Sequence, residues 1–377
     1  APFGTKSLVV MDANIQYLDF FSYFKDVLEG KNSIGYSFGK TLGGTNIAVF
    51  SYYLSSPFNL LLIFFKRSQI HTFFDLVVVL KLSFASMTFA YFGLKRFERS
   101  TDGYSIVYSL IAVGYGLCQY NIAQSSNIMW LDGVYMLPLI LLQVSNIVNK
   151  KKSYVLPILV GITIIFNWYS AGIDCIYSGF WFIFEFALYA VDKKFNLKYF
   201  ISCSVKYLAG MIFGVMLSAV LFLPTFGALK KSARGSLHFG DLMDFSFLGE
   251  FPSVLQKYTY GARSEYGSVA LFCGSLAIVL AIFAVFNNRT GIRKRALFAG
   301  FLAWAVLIFY WHPLFMMFSL FQRASSYHYR YSYVAVFLIL FLALVGANEI
   351  KSKPQARSLL KIEIVFSGLL VILQYCK

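Results

Sequence analysis

The sequence predicts an all-α, polytopic membrane protein, with about ten membrane-spanning helices behind a folded outer first loop. Three observations predict it. Hydrophobic residues make up 58% of the chain and charged residues only 13%, with a mean hydropathy of +0.65, far from the soluble mixture of about one quarter charged. Apolar stretches approaching the ~20 residues that cross a bilayer recur along the chain. Lys and Arg collect in every second connection between those stretches, as orientation in a membrane requires. The net charge of +16 therefore reports topology. It does not point to nucleic acid, because the cations form short runs between apolar segments rather than one face or a tail. Cys118, Cys175, Cys203, Cys273 and Cys376 lie in or beside apolar stretches without CxxC spacing, so neither a disulfide framework nor a metal site is read from them.

Residues 1–59 form the first loop. Tyr17, Phe20, Phe21, Phe24 and Leu28 recur at three- and four-residue spacing, which predicts a helix with one aromatic face. Asp12, Gln16, Asp19, Tyr23 and Asp26 make the opposite, polar stripe, and Gly30 stands where a C-terminal cap is expected. Such an amphipathic helix is expected to lie flat at the lipid interface.

Residues 60–377 form the transmembrane helical domain. Spans are expected at Ile70–Leu94, Tyr104–Tyr120, Met129–Val148, Tyr154–Trp168, Ile173–Val191, Tyr199–Pro224, Tyr266–Phe286, Ala296–Trp311, Tyr331–Val345 and Ile362–Tyr375. Basic runs follow the first, third, fifth, seventh and ninth: Lys95, Arg96 and Arg99; Lys150 to Lys152; Lys193, Lys194 and Lys198; Arg289, Arg293, Lys294 and Arg295; Lys351, Lys353 and Arg357. The connections 121–128 and 169–172 carry no Lys or Arg. The basic loops are thus expected in the cytoplasm, and residues 1–59, 225–265 and 312–330 together outside. An outer N-terminus entering the membrane calls for a preceding span, so a missing N-terminal helix is expected. The first residues lack the apolar core of a cleavable signal peptide.

Few residues in so apolar a chain can carry chemistry. Asp12 is a carboxylate at the start of the loop helix, and its plainer reading is an N-cap; Gln16 lies one turn on, on the same side. Lys81 falls mid-span, where an ionised group marks function by default, or else pairs with a carboxylate on a neighbouring helix such as Asp132 or Glu185. Asp132, in the WLDG of Trp130 to Gly133, reads as a cap in preference to a site carboxylate. Lys230, Lys231, Arg234, Arg323, His328 and Arg330 are cations on the expected outer face, against the positive-inside tendency. They suit a phosphate or diphosphate at headgroup depth, with bidentate contacts from Arg; the plainer reading is anionic-lipid contact or a solvated loop. No cofactor is called for. A divalent metal would need a second carboxylate beside Asp12, with Asp132, Asp241 and Glu250 to choose from.

These pieces resemble the bacterial YfhO membrane protein family. The resemblance rests on the PFG of Pro2 to Gly4, the D-x-x-x-Q-Y of Asp12, Gln16 and Tyr17, LGG and YYLSSPFNLL between Leu42 and Leu62, and the Lys81 span. It continues with WLDGVYMLPLI at Trp130 to Ile140, FNWYSAG at Phe166 to Gly172 and YHYRYSY at Tyr327 to Tyr333. It implies a GT-C-like membrane enzyme that takes a sugar from a polyprenyl-phosphate carrier and transfers it outside the cytoplasmic membrane of a bacterium, with Asp12 as catalytic base or acceptor-orienting carboxylate. Family members are longer and begin with a span, so a first helix and a C-terminal region are expected to be absent here.

The expected function is therefore a membrane glycosyltransferase that moves a sugar from undecaprenyl phosphate to a cell-envelope polymer such as teichoic acid. Its expected partners are membrane lipid, the lipid-linked donor and the polymer acceptor, with no nucleic acid. Asp12 is the catalytic candidate; Gln16, Tyr17, Lys81, Asp132 and the outer cations are candidates for binding substrate. The competing reading is a transporter or flippase of lipid-linked sugars, with Lys81 on the translocation path and Asp12 merely a cap. A scaffold protein would need none of these charges.

Overall fold

Backbone N–H and C=O groups in hydrocarbon must find partners within their own segment, and this chain meets the demand with helices. The computed structural model describes residues 6–39, 43–98, 106–230, 237–249, 269–323 and 326–350, and isolated positions 254, 257, 258, 361, 364 and 368. Among the described residues six helices are long and apolar enough to cross a membrane: Arg67–Arg96, Ile106–Ala123, Leu131–Val148, Trp168–Lys193, Leu197–Leu217 and Ser332–Glu349. They become seven if Ile47–Leu54 and Pro57–Phe64, which meet at 90°, form one broken span. We label Ile70–Arg96 as α1, Leu131–Val148 as α2, Trp168–Lys193 as α3 and Ser332–Glu349 as α4.

Ten spans were expected, and the shortfall has local causes. The stretch Tyr154–Trp168 holds only an 11-residue helix, Leu156–Phe166, about half the length that spans hydrocarbon. It stops at Asn167, whose backbone is extended and whose side chain caps α3 by accepting from Ser170 N. The stretch Tyr199–Pro224 does hold a spanning helix, Leu197–Leu217, and the chain continues after Ser218 as the shorter helix Ala219–Lys230. The stretch Tyr266–Phe286 holds the 12-residue helix Ser275–Phe286, which starts after Gly274 at φ 106°. The stretch Ala296–Trp311 lies in Ile292–Tyr310, whose first turn carries Arg293, Lys294 and Arg295. The last expected span, Ile362–Tyr375, lies outside the described residues apart from isolated positions.

The two central helices are α2 and α4, with 83% of each spanning window buried inside the protein, against 22% for Leu197–Leu217. That contrast separates core helices from a helix whose Ile201, Val205, Leu208 and Ile212 face outward. Rings fill the core: Phe92, Trp181, Phe337 and Phe341 meet edge to face across α1, α3 and α4, with the Trp181–Phe341 centroids 4.9 Å apart, the geometry ring quadrupoles favour.

In the first loop the helix Leu18–Leu28 forms as the periodicity predicts. Gly30 at φ 73° ends it, with Gly30 N bonded to Val27 O and Lys31 N to Asp26 O, the paired closure of a Schellman motif. Its aromatic face does not lie on lipid as expected. Tyr17, Phe21 and Phe24 are buried against protein, Phe21 edge-on to Phe73 and Phe74 of α1 and Tyr17 against Tyr53. Further ties hold the loop to the domain: Lys25 Nζ donates to Ile63 O at 3.0 Å, and the carboxylate of Asp75 on α1 accepts from Ser7 Oγ and Leu8 N.

Candidate functional site

Four separated segments converge beside the first-loop helix: Tyr52–Tyr53, Asn127–Trp130, Trp168–Tyr169 and Tyr327–Arg330. Arg330 is their centre. Its guanidinium lies over the Trp130 ring at 5.0 Å and the Tyr169 ring at 5.2 Å, a double cation–π contact. Its Nε donates to Tyr327 O and an Nη to Ser326 O, while Tyr120 OH donates to the Arg330 carbonyl at 2.6 Å. Among the described residues no carboxylate pairs with it. A charged fork held by ring faces and carbonyls keeps its charge uncompensated, which leaves it able to receive an anion.

The rings are themselves bonded together. Trp130 Nε1 donates to Tyr52 OH at 2.9 Å, and Asn167 Nδ2 donates to Tyr52 O at 2.8 Å. Tyr17 OH donates to Asn127 Oδ1 at 2.9 Å, and Asn127 Nδ2 to Gln124 Oε1. Burial raises the Tyr17 phenol well above its ordinary range, with Tyr53, Asp12, Tyr52 and Tyr327 adding to the shift. Tyr17 therefore stays a neutral donor, within electrostatic reach of both Asp12 and the Tyr327 segment.

Asp12 is half-buried beside exposed Met11 and Ile15. It occupies the N-cap position, but its backbone is helical at φ −56°, ψ −30° and its side chain makes no cap hydrogen bond, unlike a true cap with its extended backbone. The preceding Met11 is left-handed at φ 49°, and so is Tyr327 at φ 52°. Each costs on the order of 1–3 kcal/mol of strain, a feature that collects at functional sites.

Below the rings is a sealed ionic centre. Lys81 Nζ lies 2.8 Å from Asp132 Oδ2, both side chains having no exposed surface, and it also donates to Ile128 O. Asp132 Oδ1 accepts from Ser56 Oγ and Tyr135 OH, each at 2.7 Å. Of the two partners expected for Lys81, the structure selects Asp132. Glu185 is bound bidentately by Arg96 at 2.8 Å and 2.8 Å. Asp132 is not the cap that was preferred: the N-cap position is Trp130, and the carboxylate is fully engaged sideways. Ser56 stands at the bend between Ile47–Leu54 and Pro57–Phe64, so the centre ties that bend to α1 and α2.

The remaining candidates scatter. Gln16 is exposed. Lys230 ends the helix Ala219–Lys230 with its ammonium 4.9 Å from the Phe226 ring. Arg323 forms a bidentate pair with Asp241 at 2.7 Å and 2.8 Å, which holds the Asp241 carboxyl below the usual range. His328 packs near Phe315. Lys231, Arg234, Glu250 and the PFG of Pro2 to Gly4 lie outside the described residues. Among the described residues, no three His, Cys, Asp or Glu side chains group to hold a metal ion. Sequence reasoning named Arg330 but missed what holds it, Trp130, Tyr169 and Tyr52. The WLDG and FNWY stretches were the available signal.

Comparison with known proteins gives one match. The family model described as bacterial membrane protein YfhO covers residues 1–377, the whole chain. No curated protein and no solved structure matches it.

Proposed function

The chain belongs to the YfhO family of bacterial membrane proteins, and from that premise we propose that it is a glycosyltransferase moving a sugar from a polyprenyl-phosphate carrier to a cell-envelope polymer such as teichoic acid. The observation that carries the reading is Arg330, a cation without a carboxylate partner among the described residues, held by Trp130 and Tyr169 in the cluster that Tyr17 enters through its hydrogen bond to Asn127. Sugar transfer from a phosphate ester needs a base for the attacking hydroxyl and positive charge for the departing phosphate. Asp12 supplies the base, and Arg330 receives the phosphate. Tyr52, half-buried beside the Arg330 rings, offers a ring face to the sugar, and Gln16, exposed one turn from Asp12, orients the acceptor hydroxyl. Lys81 and Asp132 act from beneath by holding Ser56 and Ile128, and so the cluster above them. Lys230, Lys231 and Arg234 draw anionic headgroups toward the loop face, which in this reading is extracytoplasmic. The transporter alternative needs Lys81 on an open path, and its complete enclosure with Asp132 weighs against that.

The test is transfer from radiolabelled undecaprenyl-phosphate sugar to polymer in membranes matched for protein content. Asp12→Asn is expected to lower labelling by at least about 100-fold, the scale of a lost general base, with thermal unfolding unchanged. Undiminished labelling would return Asp12 to a structural part at the helix start and move the transporter reading ahead.

A further inference from the structure

A cavity of about 390 Å³ opens beside the Arg330 cluster, lined by Asp241, His312, Phe315, Arg323, His328 and Tyr329 among others. Its volume lies in the range of small-molecule sites. Tyr329 is one of its walls, and the next residue is Arg330. Phe315 and Tyr329 meet edge to face at 5.8 Å, with His328 and His312 flanking Phe315 at 6.4 Å and 6.2 Å. Asp241 and Arg323 neutralise one another bidentately. His312 Nδ1 lies 3.4 Å from Asp244 Oδ2 without a hydrogen bond, and among the described residues the His328 ring makes ring contacts only.

We infer that this cavity binds a neutral glycosyl unit of the acceptor polymer. Asp241 and Arg323 cancel one another, so the lining offers no net charge to draw in a phosphate or a cation. A sugar hydroxyl donates and accepts at once. It can therefore donate to the carboxylate lone pairs left over by Arg323 and accept from the guanidinium N–H groups left over by Asp241, while the C–H face of the ring lies on Phe315 or Tyr329. Only the word acceptor rests on the transferase reading; the binding chemistry does not.

The experiment is a saturation-transfer NMR titration of the full chain in lipid nanodiscs. The probes are methyl glucoside and methyl N-acetylglucosaminide, with glycerol 1-phosphate as the charged comparator. Both glycosides should saturate. Asp241→Ala should weaken them by about tenfold or more, the scale of lost hydrogen bonds to a charged group, and Arg323→Gln should weaken them in the same direction, with melting temperatures within a few degrees of the parent. Absence of saturation by either glycoside, affinities unmoved in both variants, or binding of glycerol 1-phosphate in their place would overturn the inference. Variant-sensitive glycoside binding in a chain that transfers no sugar would sustain the cavity and remove the transferase reading. Transfer without such binding would do the reverse.

Discussion

Two cations in this molecule meet opposite fates. Lys81, inside the bundle, is neutralised by a buried counter-charge: it pairs with Asp132, which also takes Ser56 and Tyr135, and donates to the carbonyl of Ile128. Arg330, at the loop face, is given ring faces and carbonyls but no counter-charge among the described residues. A charge whose partners are complete has nothing left to offer a ligand, whereas a charge positioned yet uncompensated does. By that criterion Lys81 is architecture and Arg330 is chemistry, although Lys81 is the more unusual residue in an apolar sequence.

The largest expected effect breaks the sealed side of the comparison. Lys81→Met leaves a buried carboxylate without its cation, and Asp132→Leu leaves the cation without its carboxylate; each should cost about 3–5 kcal/mol. The double variant removes both charges and should regain much of that loss. Unfolding of the purified protein in detergent reads all three. If Lys81→Met kept its stability and lost transfer instead, the ion pair would belong to the site and the contrast with Arg330 would fail.

The open side is broken at Arg330. Arg330→Gln should lower transfer by about 10²–10³-fold, as for a lost transition-state donor, with little change in melting temperature. Arg330→Lys should restore part of the loss but not all, because an ammonium keeps the charge without the planar fork that two ring faces hold. Equal activity for Lys and Arg would mean that charge alone matters and that the rings merely pack.

How legible this arrangement was depends on distance along the chain. Lys81 stood out because hydrophobic context makes one charge conspicuous, and its partner could be narrowed to two carboxylates, of which the structure takes Asp132. The loop helix and its Gly30 cap followed from spacing, but not the burial of its aromatic face, since periodicity shows that a face is apolar and not what covers it. The spans were overcounted where an apolar run holds only a short helix, as in Leu156–Phe166, which stops at Asn167, because hydropathy averages over the one residue that breaks the backbone. The Arg330 cluster was illegible as a cluster. Its rings come from positions 52, 130 and 169, and a cation–π contact leaves no periodic trace.

The smallest expected effect sharpens the comparison instead of breaking it. Trp130→Phe keeps a ring under Arg330 but removes the indole N–H that donates to Tyr52 OH and weakens the cation–π face, since Trp is the best partner for a cation. The lost hydrogen bond amounts to about 0.5–1.5 kcal/mol and the weaker ring contact to about 0.5 kcal/mol, so transfer should fall by roughly five- to thirtyfold. If Trp130 only orients Arg330 for the departing phosphate, the fall appears in kcat with KM little altered, since the interaction strengthens as charge develops. A rise in KM at constant kcat would instead mean that Arg330, as Trp130 holds it, binds the donor phosphate equally in ground and transition states.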